Sequence, residues 1–565
     1  MCICFKFCTR AVIGSVAAGT SVAAKARRNN EKNKITVYEK GEDISYSVCG
    51  MPFYLGGEIS DLETLIPRDT NWFKKRFNVD IFTETEVVSI DEVNQKLRLK
   101  NLATGELFED YYDKLVLATG ATPRIIAPFN LNYQNVFTMH NMADTRAIDN
   151  YLKTNSCQNV VIFGTGYVGL EMMEQLKHRG LNVTLIQRSS QIMTNYDGEM
   201  AYRAELIILE NGVNIIKNVT TKKIIEKDDI IHTIVLNDGT QIPTDLVILA
   251  TGVVPQTGLV DHMNIAKGPS GALKVSADMA TSIPNIYAVG DIAESFSVID
   301  GSPLYRPMGS TANKMGRIAG DAITGGQLRH RGVLGTGIVR LFDVTVAQTG
   351  FTERIANAKG YEVEVLYNIK PGHADYLNGT ENIIKAIVDK KTGKLLGVQI
   401  IGKDGVDKRI DVFATAMSFG ATVSDLFHLD LAYQPLYATT KDPVLYTGMA
   451  LDNALNGRRL LTPTKLYQLL QDGQKIQIID VRSKKQYDQQ HIDSAISMPL
   501  GDIRKRISEL DKNILTVTYC NKGVTGNAAQ NLLINLGFAN VYNLSGGHKN
   551  YKMVVNYIKY SKIKH

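Results

Sequence analysis

The chain has 565 residues, 44% hydrophobic and 21% charged, which at roughly 100–200 residues per domain implies several folded domains and excludes disorder as the main state. Lys and Arg total 63 against 57 Asp and Glu, a net charge of +6: too weak over this length to indicate nucleic-acid binding, but suited to a small polyanionic substrate where cations cluster. Six irregularly spaced cysteines exclude a disulfide-stapled scaffold and point to a reducing, cytoplasmic setting, and no apolar run reaches the roughly 18 residues that a membrane span needs.

The opening M-C-I-C-F-K-F-C-T-R-A-V-I-G reads as a first strand leading into a glycine turn, not as a removable leader, although Arg10 is unusual in a buried strand. Cys2, Cys4 and Cys8 match no zinc spacing and have no histidine nearby, so no metal is expected. The turn A-V-I-G-S-V-A-A-G puts Gly14 and Gly19 at the outer positions of a G-x-G-x-x-G spacing, with Val16 in place of the middle glycine. An alanine-rich helix over 20–28 and the strand I-T-V-Y-E-K follow, and Glu39 stands where an acid accepts ribose hydroxyls of a dinucleotide. Cys49 comes next, in I-S-Y-S-V-C-G-M-P-F-Y.

A second unit, N-V-V-I-F-G-T-G-Y-V-G-L-E, keeps all three glycines, Gly164, Gly166 and Gly169. In both units glycines let the backbone approach a pyrophosphate, and a helix N-terminus offers unpaired N–H groups; the alternative for the first unit is a tight turn without ligand. The next strand ends in Gln187 and Arg188. No acid there holds a ribose 2′-hydroxyl and the arginine tolerates a 2′-phosphate, so NADPH, or both NADPH and NADH, is expected. A-T-G follows an apolar strand twice, at Thr119–Gly120 and Thr251–Gly252. Asp291, in N-I-Y-A-V-G-D, either binds polyol hydroxyls or caps a helix.

Past about residue 330, strand-like runs mix with a helical stretch near 407–419, and Pro463 marks the start of a new helix after a junction. Strand I-Q-I-I-D-V-R, strand L-T-V-T-Y-C, the loop C-N-K-G-V-T-G and a further helix complete the chain.

The repeated strand–A-T-G pattern resembles the two-dinucleotide flavoprotein disulfide reductases. Those enzymes carry a second cysteine five residues after the first; here Tyr54 stands there, so Cys49 has no internal disulfide partner and must cycle through a small thiol, a persulfide or a sulfenic acid. S-Y-x-x-C-G-x-P, the V-A-A-G turn, H-A-x-Y (His373–Tyr376) and A-Y-x-P-x-Y with K-D-P (Tyr433–Pro443) together resemble coenzyme A-disulfide reductase over about residues 10–455. I-I-D-V-R, H-I-x-x-A, C-x-x-G-x-x-G and L-S-G-G-H resemble a rhodanese domain, as in fused coenzyme A-disulfide reductase/rhodanese proteins that also reduce persulfides and polysulfides with NAD(P)H.

The resemblance implies an α/β protein with two Rossmann-like dinucleotide-binding domains, an α+β dimerisation domain and a C-terminal α/β rhodanese domain. The ranges are 1–150 and 271–330 for FAD, 151–270 for NAD(P)H, 331–455 for dimerisation and 461–560 for the rhodanese domain. It implies a homodimer acting on coenzyme A disulfide or persulfide, with Cys49 as the nucleophile beside the flavin and Tyr376 and Tyr433 reaching it from the partner subunit. Ser21, Lys25, Arg28, Ser45 and Lys441 would contact coenzyme A, whose phosphates suit the cations; read alone, Lys25 and Arg28 belong equally to a solvated helix face. A helix opening at Ala312 and Asn313 would point its N-terminus at the flavin. Cys520 would carry sulfane sulfur within a ring of backbone N–H donors.

Several residues depart from the family pattern: Ser15 for glycine or alanine, Val48 for asparagine, Leu377 and Asn378 within Y-Y-P-G, and Thr525 where the rhodanese loop commonly has arginine. Loss of that cation should weaken anionic donors such as thiosulfate. Two rivals stand beside this reading. One is an NADH oxidase or peroxidase cycling Cys49 through sulfenic acid, against which Ala17 and Ala18 replace the usual histidine. The other is a non-catalytic redox or sulfur-binding protein, which would need no hydride route.

Overall fold

The computed structural model describes residues 9–563, so Cys2, Cys4 and Cys8 lie outside the described residues. By contacts the chain forms two units: one runs to Arg188 and again from Val213 to Val333, the other holds Ser189–Gly212 and the chain from Leu334 onward.

In the first unit, the first strand occupies Thr9–Ile13, and Arg10 is buried in it. It is the centre of a five-stranded parallel sheet in the order Ile286–Ala288, Lys114–Leu117, Thr9–Ile13, Lys34–Tyr38, Asp80–Phe82. Val12, Val37, Leu115 and Val116 are fully buried, the apolar run expected where a parallel sheet is covered on both faces. The alanine-rich helix Ala18–Asn29 packs on this sheet and on the helix Gly309–Ala322. The chain thus returns after residue 285 to complete its first sheet. The second parallel sheet repeats the plan in the order Asn214–Lys217, Asn182–Gln187, Asn159–Phe163, Leu246–Leu249, Val136–Phe137. In both sheets the glycine turn follows the central strand at its carboxyl end, where open α/β sheets bind ligands.

The second unit contains a five-stranded antiparallel sheet in the order Gly337–Leu341, Val344–Gly350, Leu395–Gly402, Glu381–Asp389, Val363–Pro371. The helices Val406–Ser418 and Pro443–Leu455 pack on it. A smaller parallel sheet follows, in the order Leu460–Leu461, Val541–Leu544, Thr516–Tyr519, Gln477–Asp480, Ile496–Ser497. Pro463 opens the helix Pro463–Gln471, whose first turn is capped by Thr462 accepting from the Lys465 N–H.

Lys385 is buried in the antiparallel sheet, with its Nζ 3.0 Å from Asp197, 2.6 Å from Glu199 and 2.7 Å from Glu353. The Tyr367 hydroxyl donates to Glu199 at 2.7 Å. Three converging carboxylates resemble a metal-ligand set, but here the ammonium fills their centre. The final helix, Gly547–Ile563, lays Tyr557 and Tyr560 against Tyr202 of the helix Gly198–Glu210, and Tyr560 donates to Glu205 at 2.7 Å.

Candidate functional site: two sulfur centres and two glycine turns

The glycine turns are shaped by their own packing. Gly14 has φ +101°, and a Cβ there would lie 2.3 Å from the Ala118 carbonyl oxygen, on the first A-T-G strand end. A Cβ on Gly19 would lie 1.8 Å from the Gly14 carbonyl oxygen. Gly164 and Gly169 repeat both constraints, at 2.2 Å from Ala250 and 2.2 Å from Gly164. Around Gly166, Gly120 and Gly252, by contrast, there is open space. Neither following helix has a capping side chain or an acid in its first turn, so both N-termini are left to an anion. Gly19→Val is therefore expected to destabilise the first unit by at least about 2 kcal/mol and to abolish retention of a yellow cofactor, checked by thermal melting and by absorbance of the purified protein. A full complement of bound flavin in that variant would refute the packing argument.

Glu39 sits at the end of the second strand. Its Oε2 accepts from the Ser15 N–H and hydroxyl, both at 2.8 Å, and its Oε1 accepts from the Gly41 N–H at 2.9 Å. Ser15 thus ties the turn to the acid that would meet a ribose. Ser45, with φ 51°, donates its N–H to the Ser15 carbonyl at 3.1 Å. Asp291 follows Gly290, whose position faces Ala18 and Ala312 at the starts of the two packed helices. Burial pushes the Asp291 carboxyl up to about 6. A desolvated carboxyl beside two helix starts fits a polyol hydroxyl, and with Glu39 and the uncapped turn it fits a flavin dinucleotide. The helix expected to open at Ala312 and Asn313 in fact opens at Gly309: Met308 is the last extended residue, and a G-S-T start gave little helical signal. Thr119 donates to the Gln256 carbonyl at 3.0 Å, and Thr251 to that of Arg124. Arg188 is exposed just past its strand.

Cys49 lies on the short turn Val48–Gly50, which runs into the helix Met51–Gly56, and its residue is exposed. Tyr54, at the position of the missing second cysteine, donates to Asp149 at 2.9 Å. The helix Tyr167–His178 packs on Met51–Gly56 and carries Glu171. Partial desolvation and the Glu171 charge raise the Cys49 thiol, while burial and the Glu174 charge push Glu171 up to about 7. Glu171 was present in the glycine motif as an acid in an apolar helix turn, but nothing in the sequence placed it near sulfur. Alkylation of Cys49 should consequently rise with pH beyond the range of an ordinary thiol, near 8.5, and Glu171→Gln should move the profile down; peptide mapping with iodoacetamide checks both. A Cys49 profile centred at or below that value would contradict the environment.

The other expected contacts spread along one helix. Ser21 donates to Asn313 Oδ1 at 2.6 Å, and Lys25 pairs with Asp321 at 3.0 Å and donates to Asn29 at 2.7 Å. Arg28 is exposed, 4.9 Å over the Phe77 ring. Lys25 is thus held by a carboxylate and is not a solvated charge.

In the second unit, Tyr376 and Tyr433 are 76% and 50% exposed. Cys520 is buried at the end of the strand Thr516–Tyr519, and the Gly523 N–H donates to its Sγ at 3.2 Å. The loop expected over 520–526 is shorter than that: Gly523, at φ +96°, ends it and the helix Val524–Asn535 begins at once. Thr525 therefore lies in the first helical turn. Lys370, Lys441 and Lys522 gather at this end, a grouping no sequence spacing announced: Lys370 sits 3.5 Å over the Tyr446 ring, Lys441 lies 6.0 Å from the same ring, and Lys370 feels the charges of Lys522, Cys520 and Lys441.

Comparison with known proteins places these features. Residues 9–313 match the pyridine nucleotide-disulphide oxidoreductase family, 337–443 its dimerisation domain and 462–553 the rhodanese-like domain. The chain is 34% identical over 445 residues to a NAD(P)H coenzyme A polysulfide/persulfide reductase from Pyrococcus horikoshii (78% of this chain, 97% of the relative). It is 32% identical over 439 residues to a coenzyme A disulfide reductase from Staphylococcus haemolyticus (77% and 98%). The crystal structure of reduced Bacillus anthracis CoADR-RHD superposes with a TM-score of 0.93 at 34% identity, covering 97% of this chain and 98% of that one. No helix among the described residues is long and apolar enough to cross a membrane. The chain belongs to the pyridine nucleotide-disulphide oxidoreductases, enzymes that use FAD and NAD(P)H, and carries the dimerisation domain of that family followed by a rhodanese-like domain.

Proposed function

We propose that this chain is a homodimeric reductase that uses NAD(P)H to reduce coenzyme A disulfide, or the persulfide or polysulfides of coenzyme A, through Cys49. The observation that carries the reading is an exposed thiol with a tyrosine where a resolving cysteine would stand, in a chain whose relatives are named for coenzyme A disulfide and persulfide reduction. In this reading residues 1–150 and 271–330 hold FAD, 151–270 NAD(P)H, 331–455 the dimer contact and 461–560 the sulfur-carrying domain. Gly14, Gly19, Glu39, Thr119, Gly120, Asp291 and Ala312 face the flavin dinucleotide. Gly164, Gly166, Gly169, Arg188 and Gly252 face the nicotinamide dinucleotide. Exposed aromatic residues in the dimerisation domain, including Tyr376, Tyr433 and Tyr437, support a partner subunit.

The Cys49 thiolate attacks one sulfur of the substrate disulfide, breaking its S–S bond, forming a mixed disulfide and releasing one thiolate. FAD, held by the turn at Gly14 and Gly19 with Glu39 and Asp291, would supply the electron pair from NAD(P)H that returns Cys49 from the mixed disulfide to the thiolate, the second substrate thiolate being the leaving group. Tyr376 and Tyr433, contributed across the dimer, donate hydrogen bonds to the departing thiolate. Glu171, near neutrality, takes up or returns a proton beside Cys49. Ser21, Lys25, Arg28, Ser45 and Lys441 hold the substrate's phosphates and pantetheine arm.

The test is a substrate panel with purified enzyme, both nicotinamides and coenzyme A disulfide, coenzyme A persulfide, glutathione disulfide, hydrogen peroxide and oxygen. Turnover of the coenzyme A compounds at least about tenfold above the others in kcat/KM is expected. Preferential consumption of peroxide or oxygen would replace this reading with an oxidase or peroxidase.

A further inference from the structure

The sequence suggests that Thr525 leaves the Cys520 loop without its cation. The folded second unit brings cations to it from another domain. We propose that Lys370 serves the Cys520 sulfur centre, and that Lys370, Lys441 and Lys522 form a seat for the anionic group of a sulfane-sulfur donor.

The placement is held by several independent contacts. Lys370 lies on the strand Val363–Pro371. The Ser545 hydroxyl, from the L-S-G-G-H turn beside Cys520, accepts from the Tyr367 N–H at 2.8 Å and donates to the Val365 carbonyl at 3.4 Å, fixing that strand against the rhodanese-like domain. Glu381, opposite Pro371 on the neighbouring strand, pairs with both Lys522 of the cysteine loop and Lys549. The His548 N–H donates to the Cys520 carbonyl at 2.8 Å, completing the link from Cys520 to this turn.

The charges at this point do not cancel. Lys522 shares Glu381 with Lys549, while among the described residues no carboxylate pairs with Lys370. Lys370 is half-buried and rests on Tyr446, a contact that orients an ammonium without neutralising it. Burial, then Lys522 and then Lys441, lower its pKa, and Cys520 opposes them. Grouped cations short of counter-charge are stable chiefly when an anion joins them. The chemistry that fits is an oxyanion attached to transferable sulfur. A sulfonate, as in thiosulfate, and a phosphate, as in coenzyme A persulfide, both qualify.

With thiosulfate the Cys520 thiolate attacks the outer sulfur, the donor S–S bond breaks and sulfite leaves with its electron pair, giving a Cys520 persulfide anion. Cyanide then takes the outer sulfur as thiocyanate and restores the thiolate. Charge and electrons balance at each step, and no external oxidant is needed.

The test uses full-length holoenzyme and does not depend on Cys49 turnover. Two quantities are measured: the KM for thiosulfate in thiocyanate formation, and the rate ratio of iodoacetate to iodoacetamide at Cys520 by peptide mapping. For Lys370→Met, about a tenfold rise in KM with a smaller change in kcat, and about a tenfold fall in the alkylation ratio, are expected. Lys370→Arg should bring both back to within about threefold of the parent. Adding coenzyme A persulfide as a second donor separates the sources. A Lys370→Met loss confined to thiosulfate assigns the seat to a small sulfur oxyanion, and a shared loss deepened by Lys522→Met assigns it to the phosphates of coenzyme A. An unchanged alkylation ratio, or equal slowing by the anionic and neutral reagents, would overturn the proposal.

Discussion

Cys49→Ser is expected to lower turnover of coenzyme A disulfide by at least about 10³-fold while leaving bleaching of the flavin by NAD(P)H within about threefold of the parent. Serine keeps the size of the side chain but supplies no thiolate, and the mixed disulfide cannot form. Among the described residues no neighbour replaces it: Tyr54 stands where a resolving cysteine would be, and Cys157 lies in the segment before the strand Asn159–Phe163. The nucleotide turns are untouched, because Gly14, Gly19 and Glu39 are held by contacts with Ala118, Gly14 and Ser15 that do not involve Cys49. The split between the half-reactions is read by anaerobic stopped-flow absorbance beside steady-state turnover. Undiminished disulfide turnover would remove Cys49 from the scheme, and loss of flavin bleaching would show that the substitution damages the nucleotide sites.

Lys385→Met should cost about 3–5 kcal/mol in the second unit, the usual penalty for leaving buried carboxylates without their cation. Asp197, Glu199 and Glu353 would face one another without the ammonium at their centre, within a sheet whose strand Leu395–Gly402 is buried throughout. Burial alone would raise Asp197, but the Lys385 charge and the hydrogen bonds from the Glu353 N–H and Gln399 bring it below the usual carboxylate range. A depressed folded-state pKa contributes stability that is complete above the unfolded value, about 4, and fades as pH falls through the folded value. For Lys385 burial acts downward, but Glu199, Tyr367, Asp197 and Glu353 together raise it, so its contribution persists to high pH. The cluster should therefore tolerate neutral and alkaline conditions and yield to acid. Denaturant unfolding of the parent and of Lys385→Met at pH 7 and pH 3.5 checks this, with the difference between them narrowing in acid. Adding Glu199→Gln to Lys385→Met should recover part of the loss, because one unpaired charge is removed. Equal stability of parent and Lys385→Met at pH 7 would show that the ammonium is not what holds the acids together.

Features set by local backbone geometry were legible in the sequence. Gly14 and Gly19 are required by contacts within ten residues or with the adjoining strand end, and Pro463 sets its own helix start. The family resemblance implies that the chain returns to its first domain, and Ile286–Ala288 pairs in parallel with Lys114–Leu117. The lysines were not legible, because an isolated lysine carries no sign of its partners. Lys370 and Cys520 are 150 residues apart in sequence, and contacts such as those of Ser545 and Glu381 bring their elements together. Nor did any pattern show that Ser189–Gly212, inside the stretch expected to bind NAD(P)H, gathers with the C-terminal unit. Helix starts at Gly309 and Val524 were missed because glycine, serine and threonine carry weak helical preference, so the preceding backbone angles decide where the turn begins.

The last helix has a practical consequence for anyone wishing to study the reductase portion in isolation. Tyr557 and Tyr560 cover Tyr202, Tyr560 occupies Glu205, and Asn550 accepts from Arg203 at 2.6 Å. Cutting the polypeptide near residue 455 would strip the lid from these three side chains, wetting an aromatic ring and taking one partner each from Arg203 and Glu205. A trimmed protein would need a polar replacement at Tyr202 to stay in solution, so the seam before the rhodanese-like domain is not a clean place for scissors.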